Sequence, residues 1–350
     1  MAEPQIRMQE SMKLLGKNIE ELTAIAGELG LPPFTGRQLS EWLYKKDVSR
    51  FGEMTNLSLK ARTMFESQWD TGLQEPVHAD ESADGTKKYL FPAGEGHFVE
   101  TAYIPEKNRN TICISSQVGC KWGCLFCMTG KQGFQGNLTA GEILNQLRSL
   151  PEKNQVTNVV YMGMGEPMDN LEEVLRSLEI LTAEWGFAMS PRRITVSTIG
   201  VIPAMREFLT KSQAHLAVSL HSPFEEERRK LMPVEKVHPL AEVLKEIRSW
   251  DFGRQRRVSF EYILFKGLND SAGHVNELSR ILQGIRCRIN LIRFHPFPGT
   301  PLESPDEPTI QFFRDRLNAK GITTTIRASR GEDIRAACGL LSTKEQSLRH

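Results

Sequence analysis

The sequence has no long hydrophobic run: no uninterrupted apolar stretch in its 350 residues approaches the length of a transmembrane helix. Its first ten residues, MAEPQIRMQE, also lack the apolar segment of a secretory signal peptide. We therefore expect a cytoplasmic protein with no membrane association. The formal net charge is only +1, so any surface that binds nucleic acid must be a local basic patch.

Cysteine is scarce as well, with six in the whole chain. Stable disulfides are uncommon in the cytoplasm, which leaves metal binding or catalysis as the main uses of a clustered cysteine. Three of the six, Cys120, Cys124 and Cys127, fall within eight residues as CxxxCxxC. No fourth Cys or His lies between Gln117 and Leu138, so this segment lacks the ligand that would close a structural zinc site.

Three thiolates on a short loop can bind an iron-sulfur cluster and leave one iron without a protein ligand. That iron can chelate the amino and carboxylate groups of S-adenosylmethionine (SAM) and pass an electron to its sulfonium, which releases a 5′-deoxyadenosyl radical. The spacing, with Phe126 just before the last cysteine, is the radical-SAM signature. A zinc site and unligated core cysteines are the alternatives.

Helical periodicity in the N-terminal region predicts helices that begin near Ile19 and Thr35, and a third helical stretch from Leu57 to Phe65. Thr35 and Gln38 match a capping box at the start of the second helix. Basic side chains on this unit favour a phosphate-binding surface, with a solvated helix face as an equal alternative. They are Arg37, Lys45, Lys46, Arg50, Lys60 and Arg62.

The rest of the chain alternates strands with helices. Two strands, Lys87 to Phe91 and His97 to Ile104, are predicted to form a hairpin. Further strands are predicted at 112–115, 159–162, 194–197, 216–220, 258–264, 289–294 and 322–328. Helices separate them, the first with a capping box at Thr139 and Glu142. This pattern predicts an α/β fold with a partial, six-stranded (β/α) barrel.

We accordingly predict three parts of the chain. Residues 1–80 form a small helical accessory domain that binds RNA, and residues 81–110 form a linking hairpin. Residues 111–350 form the barrel and a C-terminal tail.

Reactive groups in such barrels gather where the strands end. Gly165 and Glu166 follow the second barrel strand, Ser197 ends the third, and His295 follows the sixth. The fourth strand ends in Ser219, Leu220 and His221. Each motif alone is typical of a turn, but four in succession on one rim favour a cofactor site.

The remaining cysteines stand apart from the loop. Cys287 opens the sixth barrel strand at the end opposite the expected site, which is typical of a small core residue. Cys113 lies on the first barrel strand and Cys338 in the glycine-bounded tail. From the residues alone, function and core packing are equally open for these two.

Together these motifs resemble the radical-SAM RNA methyltransferases that act on adenine, in particular their housekeeping branch, which modifies both 23S rRNA and tRNA. The resemblance covers nearly the whole chain. It is carried by residues 113–120, 162–167, 191–198, 219–222, 289–292, 296–299 and 336–339. It implies methylation of adenine carbon 2 in the peptidyl transferase centre and 3′ of the tRNA anticodon. His295 departs from the family, which often has Asn there.

The resemblance also implies roles for individual residues. Cys120, Cys124 and Cys127 would bind a four-iron four-sulfur cluster, Cys338 would carry a methyl group, Cys113 would resolve a covalent intermediate, and Glu100 would act as the base. SAM would be used once to methylate Cys338 and a second time as the radical source. Its implied contacts are Gly165, Glu166, Ser197, Ser219, Leu220, His221 and His295.

The implied partners are 23S rRNA, tRNA and an external one-electron reductant such as flavodoxin or ferredoxin. An unpaired or extruded base fits this chemistry. The basic groups 192–193, 228–230 and 254–257 are predicted to hold phosphates, with solvated surface expected for at least one of them. One alternative is the resistance branch that methylates adenine carbon 8, although residues 294–301 look more like the housekeeping branch. Another alternative is a non-catalytic RNA-binding factor whose fold is stabilised by a bound metal.

Overall fold

The computed structural model of the protein describes residues 12–46, 48–94, 96–253 and 257–336. Cys338 and residues 254–256 lie outside these ranges. The strands are β1 (Met12–Lys13), β2 (Trp69–Asp70), β3 (His78–Glu81), β4 (Lys87–Ala93), β5 (His97–Glu106), β6 (Arg109–Cys113), β7 (Gln117–Val118), β8 (Gly136–Asn137), β9 (Asn158–Tyr161), β10 (Ile194–Thr198), β11 (His215–Ser219), β12 (Val258–Leu264), β13 (Cys287–Arg293) and β14 (Thr323–Ile326).

Helices connect the strands and cover the outside of the sheet. They are α1 (Ile19–Glu28), α2 (Phe34–Tyr44), α3 (Leu59–Gln68), α4 (Met128–Gln132), α5 (Ala140–Arg148), α6 (Leu171–Thr182), α7 (Ile202–Lys211), α8 (Glu225–Leu231), α9 (Leu240–Arg248), α10 (Ala272–Ile281) and α11 (Glu307–Ala319). Within the described ranges, no helix combines the length and the apolar composition needed to cross a membrane.

The central sheet has ten strands in the order β14-β13-β12-β11-β10-β9-β6-β5-β4-β3. From β6 to β14 each neighbouring pair is parallel, as βα repeats require. The predicted partial barrel is therefore confirmed, with β6 and β9 to β13 as its six strands and β14 as the further predicted strand. β12 has the predicted bounds, and all seven of its residues are buried, as expected for a strand covered on both faces.

The predicted hairpin is also present, formed by β4 and β5 in antiparallel register. It does more than link two parts of the chain, because β5 pairs with β6 and so continues the barrel sheet. Its other edge pairs with β3, a short exposed strand that has little apolar signal in the sequence. The result is a mixed sheet rather than a purely parallel one.

The N-terminal helices pack on the barrel through α5 and the region after α6. The buried Arg148 on α5 donates to the carbonyl oxygen of Leu43 at 2.8 Å and to that of Lys46. The ring of Tyr44 lies 6.0 Å from that of Trp185 and 5.7 Å from that of Phe187. These contacts join the N-terminal unit to the barrel in one continuous hydrophobic core.

One predicted detail of this unit is wrong. Helix α2 begins at Phe34 rather than Thr35, with Pro33 before it in helical conformation and no side-chain cap. Proline already has a φ close to the helical value, so it starts the helix ahead of the threonine. Gln38 therefore does not close a capping box and instead donates to the carbonyl oxygen of Asn56 at 2.9 Å.

Candidate functional site

The three clustered cysteines lie on the loop between β7 and α4, and all three line one cavity of about 150 Å³. Cys127 directly precedes α4, and its N–H donates to the carbonyl oxygen of Cys124 at 3.1 Å. The N–H of Cys120 donates to the carbonyl oxygen of Gly133 at 3.2 Å. This arrangement is consistent with the prediction that the three cysteines share one site.

Neighbouring elements hold the loop in place from both sides. The N–H of Leu125 donates to the carbonyl oxygen of Leu231 at the end of α8, 2.9 Å away. Trp122 Nε1 and Lys121 Nζ both bind the carboxylate of Asp169, at 2.6 and 2.9 Å. Gly119 has a φ of +72°, and a Cβ there would lie 1.8 Å from the oxygen of Gly133, so only glycine permits this crossing.

Without a bound cation, the three loop thiols are difficult to deprotonate. Burial, with a smaller contribution from the nearby Cys127, raises the pKa of Cys120 to about 12, although a hydrogen bond from the backbone of Trp122 opposes the shift. Burial also raises the pKa of Cys124, to which Cys127 and Cys120 contribute by repulsion. Three such thiolates need bound cations, and sulfur donors suit iron, so the residues fit an iron-sulfur cluster. Among the described residues, no three His, Cys, Asp or Glu side chains form a group that could hold a single metal ion, whereas a cluster places several irons between its thiolates.

The glycine-rich turn after β9 packs on the end of β6. A Cβ on Gly163 would lie 2.6 Å from Ser115 Oγ, and one on Gly165 would lie 2.5 Å from the Cβ of Gln117. We expected these glycines to let backbone approach a ligand. The structure shows that they bring two strand ends into direct contact, and the approach of a ligand stays a prediction.

Glu166, the next residue, joins two strand ends. Its carboxylate accepts from the N–H of Met168 at 3.0 Å and from that of Ile199 at 2.9 Å. Burial raises the pKa of Glu166 to about 7, although these hydrogen bonds oppose the shift. The side chain lines the cysteine cavity and retains acceptor capacity for an ammonium group.

The next two strand ends complete the cavity wall with Ser197, Ser219 and His221. His221 has a φ of +55°, and its Nδ1 accepts from the N–H of Ile263 at 2.9 Å. Burial, assisted by the charge of Arg228, lowers the pKa of His221 to about 3. The ring is therefore neutral, with its proton on Nε2. Leu220 differs, because its side chain lies in the hydrophobic core.

Arg228 behind this wall is a residue whose role the sequence did not reveal. The group 228–230 was predicted to hold phosphates or to be solvated, but Arg228 is fully buried, so both alternatives are wrong for it. Its guanidinium pairs with the buried Glu235. It also donates to the carbonyl oxygens of Ile199 at 2.9 Å and of Ser219 and Leu220 at 3.1 Å. One side chain thus fixes the ends of β10 and β11.

We expect Arg228→Met to lower the free energy of unfolding by about 3 to 5 kcal/mol, because it leaves Glu235 buried without its charge partner. Urea unfolding measures the change. Arg229→Met is the matched control on the same helix, where Arg229 pairs with Glu225 and Glu226 at the surface. A change below about 1 kcal/mol is expected there. Equal losses in the two variants would contradict the positioning role of Arg228.

A second, larger cavity of about 820 Å³ occupies the concave side of the sheet. Arginines line the end at which the parallel strands begin: Arg109, Arg192, Arg257 and Arg288. At the other end the lining includes His295, whose Nε2 shares a hydrogen bond of 3.1 Å with Ser329 Oγ. The two cavities meet, since Phe126, Met162 and Arg327 line both.

Cys113 is buried and also lines the larger cavity. Glu100 lies two positions from Ala102 on β5, so both side chains are on the face that borders this cavity. Its carboxylate lies 3.5 Å from Lys88 Nζ. Cys338 lies outside the described residues, but Ala336, two positions earlier, lines the same cavity as Cys113.

The turn between β3 and β4 holds the segment that leads toward Cys338. Asp84 accepts from the N–H of Gly331 at 3.1 Å, and Asp333 accepts from Ser82 Oγ at 2.5 Å. Burial opposes the shift, but hydrogen bonds from Thr86, Gly331 and Ser82 lower the pKa of Asp84 to about 2. This anchor was not predicted, because it joins residues about 250 positions apart in the sequence.

Comparison with known proteins agrees with this geometry. Residues 114–278 match the family model of the radical SAM superfamily, and residues 12–69 match that of the ribosomal RNA large subunit methyltransferase N-terminal domain. A crystal structure of a radical SAM methyltransferase from Sphaerobacter thermophilus superposes with a TM-score of 0.89 and 38% identity. That match covers 94% of this chain and 98% of the other.

The fold and the cysteine loop thus define a radical SAM protein. A probable dual-specificity RNA methyltransferase RlmN from Parabacteroides distasonis is 56% identical over 336 residues, covering 96% of this chain and 98% of the relative. One from Porphyromonas gingivalis is 57% identical over 341 residues, covering 97% of each chain. The chain belongs to the RlmN family. Radical SAM proteins use a four-iron four-sulfur cluster and SAM, and these are its cofactors.

Proposed function

We propose that this chain methylates carbon 2 of adenine in 23S rRNA and in tRNA, with Cys338 as the residue that carries the methyl group. The main support is the meeting of the two cavities, because a cofactor beside the cysteine loop would face a substrate in the larger one. The dual-specificity name of the relatives favours this function over the carbon-8 alternative and over a non-catalytic RNA-binding factor.

In this proposal Cys120, Cys124 and Cys127 hold the cluster, and the surrounding strand ends hold SAM. Glu166 accepts from the ammonium of SAM, and the neutral His221 donates from Nε2. The other SAM contacts are Gly165, Ser197, Ser219, the backbone of Leu220, and His295. His295 lines only the larger of the two described cavities, so its contact is with the part of SAM nearest the substrate.

When bound, the cluster and SAM supply the methyl group and the hydrogen-abstracting radical that an electron-poor carbon requires. Cys338 would take the methyl group on its sulfur, and that methyl group would give one hydrogen atom to the 5′-deoxyadenosyl radical. The remaining CH2 would bond to carbon 2 of the base, and the electron left over would return to the oxidised cluster. Glu100 removes a proton from the adduct. The Cys113 thiolate would then attack the Cys338 sulfur, so that a disulfide forms as the carbon-sulfur bond breaks and the released CH2 carbon takes up a proton to become the methyl group of the product.

Analysis of cellular RNA tests the proposed reaction. Deletion of the gene should remove 2-methyladenosine from both 23S rRNA and tRNA, as measured by nuclease digestion and nucleoside mass spectrometry. Expression of the intact chain should restore it in both. If 8-methyladenosine is lost instead, or if 2-methyladenosine persists, the proposed function is wrong.

The RNA is proposed to lie across the arginine-lined end of the larger cavity and the helical unit at residues 1–80. Lys45 and Arg50 are exposed, and Lys46 Nζ lies 4.0 Å from the ring centroid of Trp42, close to Glu41. Lysines and arginines that contact phosphate displace counterions, so RNA binding should weaken as salt increases. An external one-electron reductant such as flavodoxin or ferredoxin is the proposed redox partner.

We expect replacement of Lys45, Lys46 and Arg50 by Ala to reduce the slope of log affinity against log salt by roughly 2 to 3. Fluorescence anisotropy with a tRNA anticodon stem-loop measures it. Replacement of Lys211 and Lys245, which lie on the outer helices α7 and α9, is the control and should leave the slope unchanged. An unchanged slope in the triple variant would assign those residues to a solvated face.

A further inference from the structure

Glu261 is a buried acid in the middle of the apolar strand β12. Its Oε1 accepts from Ser259 Oγ at 3.0 Å and from Asn290 Nδ2 at 2.8 Å. Asn290 is itself held, because its Oδ1 accepts from Thr325 Oγ1 at 2.9 Å. The other carboxyl oxygen, Oε2, is buried and has no hydrogen-bond partner among the described residues. Such an oxygen is costly to bury unless a ligand completes it.

The position of this side chain indicates what that ligand is. Glu261 lines both the cysteine cavity and the larger arginine-lined cavity. It pairs in register with Ser219 of β11, at the level of the cofactor wall, while Ile263 lies two residues nearer the strand end. The unpartnered oxygen therefore stands where a cofactor beside the cysteine loop would meet a substrate.

A buried carboxyl oxygen with no hydrogen-bond partner among the described residues favours the neutral form of Glu261, because an unpaired charge is costly to bury. Burial raises the pKa of Glu261, although the charge of Arg327 and the hydrogen bonds from Asn290 and Ser259 oppose the shift. Because Oε1 already accepts from two donors, the proton of the neutral acid belongs on Oε2. In its neutral form Glu261 presents one O–H donor at the junction of the two cavities.

We propose that Glu261 recognises the target base by donating from Oε2 to N1 of adenine. This inference rests on the proposed function, in which the substrate is an adenine in RNA. Adenine N1 is a hydrogen-bond acceptor beside carbon 2. Guanine N1 instead carries a hydrogen, so two donors would face each other and no hydrogen bond could form. The hydrogen bond also withdraws electron density from the ring next to the carbon that is attacked.

Atom-specific changes in the RNA test this contact without any change in the protein. The probes are tRNA anticodon stem-loops with adenosine, 1-deazaadenosine or 7-deazaadenosine at the target position, bound to cluster-loaded enzyme with SAM and no reductant. We expect 1-deazaadenosine to weaken binding about tenfold, because it lacks the acceptor at N1. The 7-deaza probe changes the opposite edge of the base and should bind like adenosine.

Two protein variants complete the cycle. Glu261→Leu should bind the adenosine probe about tenfold more weakly and should no longer distinguish it from 1-deazaadenosine. Glu261→Gln should keep both the affinity and the discrimination, because its Oε1 can accept from Ser259 and Asn290 while its Nε2 donates to N1. Melting temperatures of all three proteins identify any variant that fails to fold, in which case the deaza probes on the unmodified enzyme still decide.

Several outcomes would overturn the proposal. One is equal affinity of the unmodified enzyme for adenosine and 1-deazaadenosine. Another is a Glu261→Leu variant that loses SAM affinity in equilibrium dialysis while RNA discrimination persists, which would place Glu261 in the cofactor site alone. Failure of the proposed function is a separate result, since the unmodified enzyme would then form no 2-methyladenosine in the adenosine probe after addition of reductant.

Discussion

Cys124→Ala should abolish iron binding and reduce the cleavage of SAM to background. Cys124 is the most enclosed of the three loop cysteines, at 7% exposure, and it packs against Leu231 and Met232. Its removal leaves two thiolates, which are too few to hold a cluster whose fourth iron must stay open for SAM. Iron content, the visible absorbance of the purified protein and 5′-deoxyadenosine formed after reduction with dithionite measure the effect.

Cys287→Ala provides the matched control for this prediction. Cys287 begins β13, far from the strand ends that hold the site, and its partly buried side chain packs against the main core. Burial raises the pKa of its thiol to about 11. This variant should keep its iron and its SAM cleavage. Normal 5′-deoxyadenosine production by Cys124→Ala would refute the assignment of the cysteine loop.

The parts of this structure that local sequence determines were predictable. The cysteine loop and the strands from β6 to β14 depend on spacing and on short apolar runs, which are visible without knowledge of the fold. The capping box at Thr139 is present because the helix begins at Ala140, directly after the threonine. The similar pattern at Thr35 failed because Pro33, two residues earlier, had already begun the helix.

Features that depend on distant partners could not be predicted in the same way. Arg228 sits in a run of charged residues that is typical of a solvated helix, and only the packing of α8 behind β10 and β11 buries it. Glu261 did leave a signal, since it is the one acid in an otherwise apolar or uncharged strand. The hydrogen bond between Asp84 and Gly331 left no signal in the sequence, because aspartate and glycine are both common in turns.

That anchor bears on the covalent chemistry. The chain from Gly331 to Ala336 is fixed against the turn at Asp84, and Ala336 lines the cavity that Cys113 also lines. A Cβ on Gly331 would lie 2.7 Å from that of Ala336, so the segment turns back on itself tightly. The described chain therefore reaches the cavity that Cys113 lines at Ala336, two positions before Cys338 in the sequence.

Cys338→Ala should block the first covalent step of the reaction, and Cys113→Ala should block the last. Cys338→Ala should accept no methyl group from SAM and should never become attached to RNA, while its cluster survives. Cys113→Ala should still accept the methyl group and add the methylene bridge to adenine, but no thiolate remains to release the product. It should therefore accumulate a stable protein-RNA adduct, and product formation should stop at about one equivalent or less.

A denaturing gel with labelled RNA reports the adduct as a shifted band that resists denaturant and disappears after nuclease treatment. The double variant should show no band, because the bond to RNA cannot form without Cys338, and this control separates a true adduct from tight binding. Cys113 is buried beside Ala102 and Val160, so a packing role is the competing explanation. If Cys113→Ala turns over freely, or if both single variants behave alike, packing is its role and another group releases the product.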